Sequence, residues 1–150
     1  GDPLEIYTSA DGEVIFKKYS AINEMASSAS QVAEVMTRLA NCPTVVFDRD
    51  HVVAVAGVQK KEFSERRVSR ALEEYLESRK NYIRSSSADA KVFPVEGVDQ
   101  AALACSPILA SGDVTGAVAF LAPNDSAVAN EVQQNLIQAA AQFLGKQIED

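Results

Sequence analysis

Two apolar runs of strand length, Ala101–Ala110 and Val114–Ala122, are separated only by Ser111-Gly112-Asp113. A parallel return needs a crossover of about a dozen residues or more. Three residues, one of them glycine, leave only an antiparallel hairpin. Pro107 lies inside the first run and predicts an interruption or bulge there. The second run carries Gly116 and then alternates, with Val118 and Phe120 set against Ala117, Ala119 and Leu121.

A second hairpin is written in TVVFDRDHVVAVAGV. Thr44–Phe47 and Val52–Ala56 are β-branched, apolar strands, and Asp48-Arg49-Asp50-His51 is a polar tip between them. Helical periodicity surrounds these strands. Ser20 is placed as an N-cap. Beyond it Ile22, Met25, Ala29, Val32, Met36 and Leu39 recur at spacings of 3, 4, 3, 4 and 3, a heptad seam on a helix over 20–41 that stops before Pro43. Residues 59–82 read as helix through Phe63, Val68, Ala71, Leu72, Tyr75 and Leu76. A loop follows over 84–91, then a short edge strand at Val92–Val95. The last helix, about 127–148, carries Val128, Val132, Leu136, Ala139, Ala140, Phe143, Leu144 and Ile148. The order α-β-β-α-β-β-β-α, with strands joined by hairpins, predicts an α+β fold: an antiparallel sheet flanked by helices.

Ahead of this domain, LEIY (4–7) and EVIF (13–16) flank TSADG, whose Asp11-Gly12 suits a hairpin turn. A lone two-stranded hairpin is marginal in water, so these strands need partners that the adjoining sequence does not offer.

Composition narrows the function. The 150 residues are 47% hydrophobic and 23% charged, with a net charge of −7. That charge opposes nucleic-acid binding by the chain as a whole, since such a surface must neutralise phosphates. Eight of the 14 basic residues fall within 60–84 against five acids. Pairs at helical spacing such as Glu62–Arg66 and Arg70–Glu74 make this a solvated helix face, with an accessory phosphate or partner contact as the sharper reading. No run has the length to cross a bilayer and no secretory leader is evident, so a cytoplasmic protein without membrane partners is expected. Cys42 and Cys105 lack any CxxC context, and one histidine is too few for a zinc site. They read as buried thiols, and neither a metal nor a cofactor is expected. Asp48, Asp50 and His51 contain acid–base groups but sit on a hairpin tip without a nucleophile pattern. A turn held by Asp side chains is the simpler reading.

The element order, together with ILASGDVTGAVAFL (108–121), resembles a GAF-type sensor domain. GDPLEIYTSADGEVIFKKYS (1–20) resembles the second half of an AbrB-type swapped-hairpin DNA-binding domain. Their succession, with DRDHVVAVAGVQKKEF (48–63) and AAAQFLGKQIE (139–149), resembles the stage V sporulation protein T family across nearly the whole chain. The resemblance divides the chain into 1–19, the second half of the AbrB-type domain, and 20–150, the GAF-like regulatory domain with its linker helix 20–41. It implies a transcriptional regulator acting in the forespore on its nucleoid, activating some genes and repressing others. No enzymatic activity is implied.

In that family DNA is held mainly by basic residues of the first half of the AbrB-type domain, which would precede Gly1. Only Lys17 and Lys18 match a family piece here, as a secondary phosphate contact at most, and weak DNA binding by these 150 residues is expected. The family assembles through GAF-domain helices, which implies a homo-oligomer, dimer or tetramer. The residues expected to carry it are Ile22, Met25, Ala29, Val32, Met36 and Leu39 on the first helix and Val132, Leu136 and Phe143 on the last. A GAF pocket would lie between the sheet and the shorter helices, with Phe47, Val53, Val55, Phe63, Ser106, Ile108 and Phe120 as candidate walls for an unidentified small ligand. The competing readings are a free-standing GAF-fold small-molecule binder, a sulfoxide-reductase-like enzyme relying on reactive thiols, and a ligand-free scaffold.

Overall fold

The computed structural model describes residues 26–149. The N-terminal hairpin, Lys17, Lys18, Ile22 and Met25 lie outside the described residues. The elements are α1 (Ala26–Ala40), β1 (Thr44–Asp48), β2 (Val52–Ala56), α2 (Lys60–Phe63), α3 (Arg70–Glu77), β3 (Tyr82–Ile83), β4 (Ala102–Ala110), β5 (Asp113–Leu121) and α4 (Glu131–Glu149). The strands form one antiparallel sheet in the order β2-β1-β5-β4-β3. The two hairpins expected within the described residues, β1–β2 and β4–β5, are present. β4 returns into β5 through Ser111 and Gly112, both at positive φ (53° and 85°), as a two-residue type I′ turn requires.

The sheet separates two cores. On one face, α1 and α4 bury Ala29, Ala33, Ile137, Ala140 and Leu144 against Val46, Ile108, Val118 and Phe120. On the other, α2 and α3 bring Phe63, Leu72 and Leu76 against Phe47, Cys105, Ala117, Ala119 and Leu121. The alternation along β5 therefore sends successive residues into different cores. α4 lies so close to β4 that a Cβ at Gly145 would press into the Leu109 carbonyl oxygen. Its far end ties down the β4–β5 turn, where the Ser111 N–H donates to Glu149 Oε2 at 2.7 Å.

Four details differ from the sequence reading. The helix expected over 59–82 is two pieces, because residues 66–68 are drawn into extended pairing. The Val52 N–H donates to Arg66 O, the Val68 N–H to Asp50 O and the Glu96 N–H to Arg67 O, each at 2.9 Å. The Glu62–Arg66 helical pair is consequently replaced by a bond from Arg66 Nε to the Glu62 carbonyl, 2.8 Å. Val92–Val95 forms no strand, only an isolated bridge from Val95 to Val68, and the third strand is Tyr82–Ile83. α4 starts at Glu131 rather than near 127, where Asn130 and Gln133 cap it reciprocally: Gln133 N–H to Asn130 Oδ1 (2.8 Å) and Asn130 N–H to Gln133 Oε1 (3.0 Å). Pro107 leaves β4 continuous, since the register shifts lie at Ala102/Ala104 and Ile108/Leu109. β3 pairs only with Ala104 and Cys105, so β4 has an open outer edge from Ser106 onward, where a missing N–H is tolerated.

Candidate functional site

Among the described residues, three places bear most directly on the expected sites. The first is the outer face of the α1–α4 pair. The helices run antiparallel: Gln133 at the start of α4 donates its Nε2 to Ala40 O at the end of α1 (2.9 Å), and Phe143 lies across from Val35 and Met36. Leu39, Val132 and Phe143 are 57%, 56% and 51% exposed, and Val35 is 39% exposed. Val35, Met36 and Phe143, with Ser28, Gln31 and Gln147, line a groove of about 320 Å³. Gln147 Oε1 is buried there and, among the described residues, has no hydrogen-bond donor.

The expected seam is thereby divided. Among its described residues, Ala29 and Val32 face the sheet core, Met36 and Leu136 are half-buried against it, and Leu39, Val132 and Phe143 point outward. Val35 belongs to the outward stripe although it is absent from the expected seam. A helix with apolar residues on two faces gives a 3-4 repeat on each, and the spacing alone does not say which repeat meets the sheet.

The second place is a cleft of about 260 Å³ beside the open edge of β4, with Arg79, Asn81, Ser106, Leu109, Gln138 and Gln142 among its walls. Ser106 is buried and donates its hydroxyl to Asn81 Oδ1 at 2.8 Å. Arg79 Nη2 donates to the Gly112 carbonyl at 2.8 Å. The other expected pocket residues do not join Ser106. Phe47, Val55 and Phe63 belong to the α2–α3 side of the sheet, and Val53, Ile108 and Phe120 to the α1–α4 side. The seven therefore do not line one cavity. Val53 is parted from Val55 by a bulge: Val46 pairs with Ala54 but Phe47 with Val52, so Val53 is an extra residue whose side chain leaves the strand's alternation.

The third place is the β1–β2 tip. Asp48 is 2% exposed, and its Oδ1 accepts from the N–H groups of Asp50 (2.7 Å) and His51 (2.8 Å) and lies 2.9 Å from His51 Nδ1. Burial pushes this carboxyl up, but the hydrogen bonds from the His51 backbone and ring and from Asp50 outweigh it and hold it below the ordinary value of 3.8. The arrangement is a stabilised turn, as its composition suggests.

The two thiols are buried in different cores, Cys42 on the α1–α4 side and Cys105 on the α2–α3 side. Burial pushes Cys42 up to about 11, against a small opposing hydrogen bond with Gln133, and Cys105 up to about 12. Both are protonated at neutral pH. Among the described residues no three His, Cys, Asp or Glu side chains gather in a metal-binding group, and no helix is long and apolar enough to cross a membrane.

Residues 24–149 match the family model described as "Stage V sporulation protein T C-terminal, transcription factor". The chain is 34% identical over 151 residues to stage V sporulation protein T of Bacillus subtilis (strain 168), covering 99% of this chain and 83% of that protein. The chain belongs to the stage V sporulation protein T family. The family assignment supports a sporulation transcriptional regulator. Solved GAF structures share the fold at low identity. The GAF domain/HD domain protein of Geobacter sulfurreducens superposes with a TM-score of 0.61 at 13% identity, over 89% of this chain and 99% of that one. The cofactor-binding GAF domain of the nutrient sensor CodY from Clostridium difficile gives 0.54 at 12%, over 85% and 92%. The type II free methionine-R-sulfoxide reductase of Thermoplasma acidophilum gives 0.63 at 10%, over 85% and 94%. At such identities the likeness is one of fold and carries no activity across.

Proposed function

We propose that the GAF-like domain of this sporulation regulator is its sensing and assembly module, and that the outer α1–α4 face joins it to further copies of the same chain. The observation that carries the reading is the row of exposed apolar side chains, Val35 and Leu39 on α1 and Val132 and Phe143 on α4. Val132, Ala139 and Phe143 recur on the exposed side of α4 at intervals of 7 and 4, a spacing with which helices of a second copy interlock. A second copy laid over this face covers that row of side chains.

On this reading the regulator works in the cytoplasm of the developing forespore, activating some genes and repressing others according to a small ligand. Lys17 and Lys18 give DNA at most a secondary phosphate contact, a solvated strand end being the simpler reading, and the main contacts belong to the first half of the AbrB-type domain. The thiols weigh against the reductase reading, because that chemistry needs clustered thiols of low pKa, whereas Cys42 and Cys105 are separated by the sheet and raised by burial. Light scattering on the 150-residue chain at micromolar concentration is the test. A dimer or tetramer is expected, and a clean monomer overturns the assembly role.

A further inference from the structure

We infer that the cleft at the open edge of β4 is a binding site for a small organic carboxylate that carries hydroxyl or carbonyl groups of its own. The inference rests on the sensing role proposed above and gives it a location and a ligand class. The cleft lies at the edge of the sheet, where β4 meets α4 and the residues that follow α3, and none of its lining residues belongs to the core beneath α2 and α3. It is therefore distinct from the space between the sheet and the shorter helices, where Phe47, Phe63, Leu72 and Leu76 are packed together with almost no exposure.

Its walls are selective in chemistry. Arg79 supplies the one charge, Asn81, Gln138 and Gln142 supply three carboxamides, and no carboxylate is among the lining residues, in a chain whose net charge is −7. A guanidinium fork matches a carboxylate with two parallel hydrogen bonds. Carboxamides both donate and accept, which suits hydroxyl and carbonyl groups on the same small molecule. Ser106 forms the buried floor. Its proton goes to Asn81 Oδ1, so its oxygen keeps acceptor capacity toward the cleft. Leu109 gives one apolar wall, and a volume of about 260 Å³ restricts the occupant to a small metabolite.

The backbone at Arg79 supplies an independent argument. α3 ends in a Schellman motif: the Arg79 N–H donates to Leu76 O and the Lys80 N–H to Tyr75 O, each at 3.1 Å. This places Arg79 in the left-handed region at φ 56°, where glycine is the usual residue. Asn41, Glu65 and Ser111 share this region, and of the four Arg79 alone lines the cleft, its side chain reaching along it to Gly112. Strained backbone of this kind concentrates where a side chain has to be aimed.

The test is isothermal titration of the 150-residue chain with L-lactate, L-malate and citrate, and with inorganic phosphate to separate organic carboxylates from a general oxyanion. Saturable binding of at least one organic acid, tighter than phosphate, is expected. Arg79→Gly relieves the left-handed residue, so it should melt no lower than the wild type while weakening binding at least tenfold. Gln142→Leu should weaken binding as well, with melting unchanged. Saturation by none of the three acids, phosphate binding as tightly, or unaltered affinity in Arg79→Gly overturns the site. If light scattering still gives an oligomer, the assembly role survives that failure. Binding by a chain that is monomeric leaves the site and removes the assembly role instead.

Discussion

Replacing Gly145 by Ala tests the contact on which the α1–α4 layer depends. On an open helix surface this change stabilises by about 1 kcal/mol, because glycine is the poorer helix former. Gly145 instead sits against β4, where the new methyl would press into the Leu109 carbonyl oxygen and stand 3.3 Å from its carbon. To relieve that overlap α4 must withdraw by about 1 Å, and a gap of that size forfeits roughly a quarter to a half of the dispersion attraction across it. Ile137, Ala140, Ala141 and Leu144 are the buried residues that would lose contact. Full burial of a leucine or isoleucine is worth about 1.5–3 kcal/mol, and overpacking costs about 1–3 kcal/mol. A loss of about 3 kcal/mol against the gain of about 1 leaves a net destabilisation of about 2 kcal/mol. In a domain of this size that lowers the melting temperature by about 4–8 °C. Urea unfolding followed by circular dichroism, at one protein concentration for both chains, reads it directly. A variant as stable as the wild type, or more stable by about 1 kcal/mol, refutes the close packing of α4 on β4.

Three further outcomes follow from single residues. Gln133→Ala removes the amide that joins the end of α1 to the start of α4, leaving the Ala40 carbonyl and the Asn130 N–H without these partners, and should cost about 1–3 kcal/mol in the same urea assay. Asp48 titrates lower when folded than its ordinary value of 3.8, so its contribution is full above that value and disappears as pH falls through the lower folded one. Asp48→Asn should therefore flatten part of the acid limb of a stability–pH curve, and an unchanged limb contradicts the hydrogen-bonded turn. Thiol labelling at pH 7 should be slow in the folded chain and reach both Cys42 and Cys105 in urea, because both are buried and protonated; rapid native labelling of Cys42 would revive the reductase reading.

The hairpins were legible because their signals are local. Asp48–His51 and Ser111–Gly112 carry turn chemistry, and the flanking runs have strand composition. The break in the 59–82 helix was not, although Ser69 now caps α3 by accepting the Leu72 N–H at 3.1 Å. Residues 66–68 are extended because Asp50, Val52 and Glu96 pair with them, partners far away in sequence. The pocket residues misled for a similar reason: a single bulge parts Val53 from Val55, and period-2 counting cannot foresee it. Arg79 gave no sequence signal, since only the three-dimensional course of β3 and β4 opens an edge beside it. On α1 the heptad spacing marks an apolar helix but does not separate Ala29 and Val32, which face the sheet core, from the outward Leu39.

The central claim is that the outer α1–α4 face assembles the regulator, and Val35→Glu with Phe143→Glu addresses it most directly. Both side chains are well exposed in the single chain, at 39% and 51%, so the substitutions should leave its fold intact. Sedimentation velocity at micromolar concentration should find the wild type as a dimer or tetramer and the double variant as a monomer with an unchanged circular dichroism spectrum. A wild type that sediments as a monomer, or a double variant that stays assembled, contradicts the account.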